Sequence, residues 1–174
     1  KQQMPKFPAV FVGVRFPVKQ GLVASLDVPG GFMTGVVEGD YDALAMPALL
    51  IAAKPGARRV LIPHEITHEV DGCIEAALIQ VKEFLAQHGV RADLYPVKMG
   101  HVNTDELEKV LDSYDVLMTL DLDPVQTLTG IFMDLCPRTK TTFFAGSLDG
   151  VDAGAALAFG GYPQVLGKAA FLQV

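Results

Sequence analysis

The sequence predicts an α/β fold, in which a parallel sheet carries helices on both faces. Two observations predict it. From Arg58 onward, short apolar runs alternate with segments of helical periodicity, a pattern typical of strands joined by crossover helices. Half of the 174 residues are apolar and 20% are charged, so a chain of this length can bury a substantial core.

The amino-terminal part predicts two strands separated by a helix. Residues 9–14 and 32–37 are short apolar runs typical of buried strands. Residues 18–26 carry apolar side chains at helical spacing, and the sequence Pro-Gly-Gly at 29–31 predicts a turn after that helix.

The sequence in the middle of the chain predicts a helix, a strand and a second helix, in that order. Asp40 is a candidate N-cap for a helix that reaches Ala53, although Pro47 interrupts it. Residues 59–62 predict a strand. Residues 70–85 repeat apolar side chains at helical spacing, and Gly89 is suited to the position after the helix ends.

The remaining elements follow the same alternation. Asn103 and Glu106 form a capping-box pattern at the start of a helix, and Pro124 suits the first turn of another. Strands are predicted over 91–97, 115–120 and 141–145, and a short helix over 152–159.

Polar side chains follow several of the predicted strands. In parallel sheets, ligands bind beyond the carboxyl ends of the strands. The candidate ligand-binding residues at these ends are Arg15, Phe16, Glu38, His64, Glu65, Asp121, Asp123, Ser147 and Asp149.

Each of these side chains also has a purely structural interpretation. Arg15 can clamp a carboxylate with its guanidinium, or lie on the surface. Phe16 can stack on a ligand or belong to a core. Asp121 and Asp123 can bind a cation or an ammonium group, but Asp123 also fits as the N-cap before Pro124.

The sequence His64-Glu65-Ile66-Thr67-His68 matches the H-E-x-x-H pattern of zinc hydrolases. On a helix, His64 and His68 share a face and can hold zinc, with Glu65 activating a metal-bound water. Here Pro63 precedes the motif at a strand end, which is the wrong context. A zinc hydrolase is therefore an alternative hypothesis, and the principal prediction includes no metal, no other cofactor and no catalytic residue.

Charge and composition exclude several classes of partner. The net charge of −6 argues against a nucleic-acid surface. No apolar run is long enough to span a bilayer, and two cysteines are too few for a disulfide scaffold.

Three segments in the first part of the sequence carry a family resemblance. They are Pro8-Ala-Val-Phe-Val-Gly-Val, Pro17-Val and Gly21-Leu-Val-Ala-Ser-Leu-Asp-Val-Pro-Gly-Gly-Phe-Met-Thr-Gly-Val. They resemble the ABC-transporter substrate-binding proteins that include tryptophan- and tyrosine-binding members. Asp115-Val-Leu-Met-Thr-Leu-Asp and Gly154-Ala-Ala-Leu-Ala-Phe-Gly resemble later motifs of that family, in order. The resemblance covers essentially the whole chain.

The resemblance implies a type I periplasmic-binding-protein fold, with two Rossmann-like lobes that close on a solute by hinge motion. It implies that residues 1–37 and 142–174 are the remnant of a first lobe that lacks most of its amino-terminal part. Residues 38–141 would be the complete second lobe.

The same resemblance implies a function. It predicts a non-enzymatic lipoprotein of a bacterial ABC importer, located in the periplasm or otherwise outside the cytoplasm, and partnered by a membrane permease. Its ligand would be a small molecule, either amino-acid-like or another small, including anionic, solute.

Departures from the family pattern fall at the candidate site. Arg15-Phe16 stands where the family has an acidic residue, and Phe32 stands where it has Asn. These changes favour a ligand other than an aromatic amino acid. A third hypothesis, besides the importer component and the zinc hydrolase, is a ligand-free interaction module that forms a homodimer through the lobe remnant.

Overall fold

The structure is a computed structural model that describes residues 7–14, 17–18, 20–37, 44–66, 72–98, 101–120 and 124–160. In chain order the elements are β1 (Ala9–Val14), β2 (Met33–Val37), α1 (Ala45–Ala53), β3 (Arg59–Glu65), α2 (Gly72–Gln87), β4 (Arg91–Val97), α3 (Thr104–Leu111), β5 (Val116–Met118), a 3₁₀ helix (Pro124–Leu128), α4 (Thr129–Thr139), β6 (Thr142–Ala145), α5 (Asp149–Asp152) and β7 (Leu157–Ala158). No helix among these residues is both long and apolar enough to cross a membrane.

The chain divides into two compact units. The first unit comprises residues 1–42 and 161–174, and the second comprises residues 43–160. This division differs from the predicted boundary at residue 142, because residues 142–160 belong to the second unit. The physical reason is strand pairing: β6 lies between β5 and β7 in the sheet of the second unit and is hydrogen-bonded to both.

The first unit contains a two-stranded parallel sheet, in which β1 pairs with β2 from Ala9 opposite Met33. Both strands were predicted. Gly35 is required where they meet, since a Cβ at this position would overlap the carbonyl oxygen of Phe11.

The helix predicted over residues 18–26 is wrong. The described residues of this segment form turns and bends, with Gly21 and Gly30 at φ of 71° and 73°. The Ser25 hydroxyl donates to the Val28 carbonyl, and the Val28 amide donates to that hydroxyl. These local bonds satisfy the backbone without helical i to i−4 pairing.

The second unit is built on a five-stranded, fully parallel sheet in the order β4-β3-β5-β6-β7. Helices connect successive strands, as the alternation of patterns predicted, and the α/β fold class is confirmed. All three residues of β5, which lies at the centre of the sheet, are fully buried.

α2 and α3 begin and end close to the predicted positions, whereas α1 has Leu44 in the N-cap position and not the predicted Asp40. Asn103 caps α3 by accepting a hydrogen bond from the Glu106 amide at 3.3 Å, and Gly89, at φ 73°, follows α2. α1 begins at Ala45, which places Pro47 in the first turn, where its missing N–H has no helical partner to lose.

The helix predicted over residues 152–159 is wrong. α5 ends at Asp152, Gly154 adopts φ of 107°, and β7 follows. Ala156 donates its amide to the Phe143 carbonyl, so the segment pairs with β6 instead of continuing the helix.

The amino-terminal edge of the sheet depends on Asp115. Its carboxylate accepts the backbone amides of Arg58 at 2.8 Å and Arg59 at 2.9 Å. These two hydrogen bonds hold the pKa of Asp115 below its ordinary value. They join the loop before β3 to the residue before β5, two segments that are 56 or more positions apart in sequence.

The substitution Asp115→Asn is expected to lower the free energy of unfolding by about 1–2 kcal/mol at pH 7, because hydrogen bonds to a charged acceptor are stronger than those to a neutral one. A carboxyl group whose pKa is lower in the folded state than in the unfolded state stabilises the fold at pH values above its unfolded-state pKa. This contribution is lost as the pH falls through the folded-state pKa. In urea unfolding, the difference from wild type should therefore shrink towards pH 3. Asp112→Asn, at an exposed position nearby, is the control, and equal effects of the two substitutions would contradict the assignment.

Candidate functional site

The carboxyl edge of the five-stranded sheet is the candidate functional site. Because all strands run in parallel, their carboxyl ends meet at this edge. β3 leads through α2 to β4 on one side, whereas β5 leads through α4 to β6 on the other. The point between β3 and β5, where the chain reverses direction across the sheet, is the place where open α/β sheets form a binding crevice.

His64 and Glu65 are the last two residues of β3. His64 is half-buried and Glu65 is buried, with 9% of its surface exposed. Ile66 continues the ladder by donating its amide to the Val97 carbonyl at 2.8 Å. The structure therefore places these two predicted residues on the rigid end of a strand.

His64 and Glu65 line a cleft of about 350 Å³ between the end of β3, β4 and α2. A volume of this size lies at the lower end of the range typical of small-molecule sites. The other residues that line the cleft are Ile66, Ile74, Glu75, Leu78, Ile79, Lys82 and Leu94. It is thus a mainly apolar cleft with a few polar groups.

The zinc-hydrolase hypothesis required His64 on a helix, and the structure contradicts that requirement. His64 and Glu65 lie in a strand, where successive side chains point to opposite faces and the i, i+4 helical face is absent. His68 lies outside the described residues. Among the residues that the structure describes, no group of three His, Cys, Asp or Glu side chains is placed to hold a metal ion.

Ser147 and Asp149 follow β6 at the same carboxyl edge. Ser147 is half-buried and accepts the Gly150 amide at its carbonyl at 3.0 Å, whereas Asp149 is exposed at the start of α5. β5 separates β6 from β3, so ordinary strand spacing places Ser147 roughly 10 Å from the end of β3. Ser147 and Asp149 therefore lie at the same edge of the sheet as His64 and Glu65 but do not form one compact cluster with them.

Thr119 holds two loops of the candidate site together. It is buried, its amide donates to the Phe144 carbonyl at 3.0 Å, and its hydroxyl accepts the Gly146 amide at 2.9 Å. This hydroxyl fixes the residue before Ser147 against the end of β5. Sequence reasoning missed it, because a threonine at a strand end looks like any β-branched strand residue.

The side chains of α2 that line the cleft were also missed. Ile79 lies outside the apolar face predicted for α2, and it is 51% exposed. An isoleucine outside the buried face of an amphipathic helix was the available signal. Lys82 and Leu94 carried no comparable signal in the sequence.

Several predicted site residues lie outside the described residues. They are Arg15, Phe16, Glu38, Asp121 and Asp123. Their assignment to the site remains a prediction.

The chain has no match among protein-family models and none among curated proteins. Its fold is, however, found in solved structures. The ABC domain from Streptococcus pneumoniae in complex with L-Trp aligns with a TM-score of 0.76 at 15% identity, covering 95% of this chain and 55% of that one. A conserved domain protein from Vibrio cholerae O1 biovar El Tor aligns with a TM-score of 0.77 at 20% identity, covering 94% and 54%.

A third similar structure is the ligand-free, open form of a substrate-binding protein with adhesive properties from Clostridium difficile. It aligns with a TM-score of 0.59 at 23% identity, covering 86% of this chain and 50% of that one. This chain therefore spans about half the length of these structures. The likeness confirms the predicted periplasmic-binding-protein-like fold, and one of the similar structures is a substrate-binding protein.

Proposed function

We propose that this chain is the solute-binding component of a bacterial ABC importer. The observation that carries the proposal is the carboxyl edge of a parallel sheet, with His64 and Glu65 opening into a cleft of about 350 Å³. A substrate-binding protein shares this fold, and so does an ABC domain in complex with L-Trp. The proposed activity is reversible binding, with no chemical step.

The proposed ligand is a small amino-acid-like or anionic solute. The polar groups His64, Glu65, Glu75 and Lys82 of this mainly apolar cleft can orient a molecule with both apolar and charged parts. Phe16 stands where the resembled family has an acidic residue, and the cation gained beside it at Arg15 favours a carboxylate on the ligand. Capture would occur by hinge closure of two lobes, as the family resemblance implies.

The proposed setting follows from the same reasoning. An importer component works outside the cytoplasm and delivers its solute to a membrane permease, so we propose a periplasmic or other extracytoplasmic lipoprotein.

Binding is tested by measuring the melting temperature of the full chain with each L-amino acid and with C4 dicarboxylates, added singly, followed by calorimetry for any that stabilises it. A ligand that binds only the folded state raises the melting temperature. His64→Ala is expected to weaken binding about tenfold or more, as loss of a polar contact in a buried site does. His88→Ala is the matched control, because His88 follows α2 at the opposite end of the helix and is exposed.

Two outcomes would contradict the proposal. One is the absence of stabilisation by every compound tested. The other is equal affinity of the His64→Ala and His88→Ala variants for the ligand found, which would place the site elsewhere. Unchanged affinity in both Arg15→Ala and Asp121→Ala would remove those two residues from the site.

The interaction-module hypothesis has one specific observation in its favour. Of the large apolar side chains that are exposed among the described residues, most belong to the first unit: Phe7, Val10, Val12, Val18, Leu26, Val28 and Phe32. Exposed apolar patches often mark contacts between proteins. A homodimer in sedimentation experiments, with no stabilising ligand, would favour this second function.

A further inference from the structure

The amino-terminal edge of the five-stranded sheet is positively charged, although the whole chain has a net charge of −6. In the segments that lead into and begin β3, β4, β5 and β6, positive side chains outnumber negative ones. The positive side chains of these segments, which we call the basic edge, are Lys54, Arg58, Arg59, Arg91 and Lys140. The negative ones are Asp93, Asp112 and Asp115. The basic edge lies at the opposite end of the strands from the candidate solute site.

Backbone hydrogen bonds hold these segments side by side. The Arg91 amide donates to the Arg58 carbonyl at 2.8 Å, and the Asp115 amide donates to the Arg59 carbonyl at 2.9 Å. The Thr142 amide in turn donates to the Asp115 carbonyl at 3.0 Å. Neighbouring strands are about 4.8 Å apart, so the starts of β4, β3, β5 and β6 form a row of about 14 Å.

The two ends of the row that come from helices are also fixed in place. Lys54 follows α1, and its Nζ donates to the Thr142 hydroxyl at 2.5 Å, at the first residue of β6. Lys140 is the C-cap of α4 and precedes β6 by two residues. The basic edge is therefore one continuous feature of the fold, although its members are far apart in sequence.

Two carboxylates of this edge are already used inside the protein. Asp93 accepts a hydrogen bond from the Tyr114 hydroxyl at 2.9 Å and pairs with Arg91 at 3.0 Å. Asp115 accepts the backbone amides of Arg58 and Arg59. These contacts leave little capacity on either carboxylate to neutralise the remaining positive side chains.

The positive side chains, in contrast, keep unused donors. Arg58 and Lys140 are exposed, and neither side chain makes an ion pair within the described part of the chain. The Nε of Arg59 is buried without a hydrogen-bond partner, and its guanidinium lies 3.7 Å from Asp93, at the long end of ion pairing. The side chain of Arg91 is 70% exposed although it is paired.

The chemistry of the edge favours carboxylates of another protein. A guanidinium binds a carboxylate through two parallel hydrogen bonds, and lysine adds a mobile positive charge. A nucleic acid or an anionic membrane would be repelled by the net negative charge of the rest of the chain. None of the large apolar side chains exposed among the described residues lies in these segments, so nothing here would insert into a bilayer.

We infer that the basic edge docks an acidic segment of a partner protein, whose carboxylates pair with Arg58, Lys140 and Arg91. The segment lies across the starts of the strands, and the carboxyl edge with its cleft stays open. Partner and solute would therefore bind at opposite ends of the same sheet. This inference does not depend on the proposed solute-binding function.

The probe is fluorescein-labelled hexaglutamate, which when extended at about 3.4 Å per residue is long enough to cover the row. Its binding to the full chain is measured by fluorescence anisotropy at an ionic strength of about 0.1 M. Arg58→Glu is expected to weaken binding about fivefold or more. One exposed ion pair is worth up to about fivefold, and the new carboxylate adds repulsion.

Lys98→Glu is the matched control, because it makes the same charge reversal at an exposed position beyond the carboxyl end of β4. Lys98 is roughly 20 Å from Arg91 along the strand. At this ionic strength charges more than about 10 Å apart are largely screened, so affinity should stay unchanged.

Lys140→Asn tests the other end of the row and keeps the inference falsifiable if Arg58→Glu does not fold. Lys140 has a φ of 59°, a backbone conformation that asparagine tolerates. The substitution removes one positive charge without adding a negative one. It is expected to weaken hexaglutamate binding by about two- to fivefold, the range for one exposed ion pair.

Four outcomes would overturn the inference. The first is the absence of hexaglutamate binding, and the second is equal weakening by Arg58→Glu and Lys98→Glu, which would mean a non-specific charge effect. The third is binding that neither Arg58→Glu nor Lys140→Asn weakens, which would place the peptide elsewhere, including the cleft. The fourth is self-association that Arg58→Glu abolishes in sedimentation experiments, which would assign the edge to a second copy.

Discussion

Replacing Phe132 with alanine is expected to lower the free energy of unfolding by about 3–5 kcal/mol, the usual cost of truncating a fully buried phenylalanine. Phe132 lies on α4 with no exposed surface, and its ring packs edge-on against Phe143 at 5.7 Å between centroids. It belongs to a cluster of buried apolar side chains together with Leu61, Leu117 and Leu135. A loss of this size is a large part of the stability of an ordinary domain.

Urea unfolding of the full chain, followed by circular dichroism, measures the effect of Phe132→Ala. Val151→Ala is the control, since Val151 is 53% exposed and its truncation should change stability by no more than about 0.5 kcal/mol. If the two substitutions cost the same, Phe132 is not at the centre of the core of the second unit. The described fold would then be wrong at the packing of α4 on β6.

Replacing Gly150 with alanine is expected to cost about 1–3 kcal/mol, the range for forcing extra atoms into a packed site. An added Cβ would overlap the Cβ of Ala145. Ala145 ends β6 at the carboxyl edge, so relief of the clash must move α5 or the strand end. Ser147 and Asp149, two predicted site residues, lie in the segment that would move.

Gly130→Ala provides a matched control for Gly150→Ala. Gly130 lies in α4, where an added Cβ meets nothing within 4 Å. Alanine there should stabilise the helix by about 0.5–1 kcal/mol, because glycine is the poorer helix former. Opposite signs in the two melting temperatures are the expected result, and a stabilising Gly150→Ala would contradict the close contact between α5 and β6.

The sequence by itself predicted the elements whose signals are local. α2, β4 and α3 follow from helical spacing, a short strand pattern and the Asn103 cap, all of which depend on residues within one or two turns. The same spacing failed over residues 18–26 and 152–159. There, glycines with positive φ and backbone pairing to β6 replaced helical bonding, which the apolar pattern does not encode.

The candidate site, too, could be predicted from the sequence only in part. The sequence determined that polar residues follow the strands, and it identified His64, Glu65, Ser147 and Asp149 at strand ends. Only the tertiary structure decided which strands are neighbours, and therefore that Ser147 lies across β5 from His64 and that β4 is an edge. The physical reason is that strand order depends on hydrogen bonds between residues far apart in the chain, such as Thr119 with Gly146, whereas periodicity reports only which face of an element is buried.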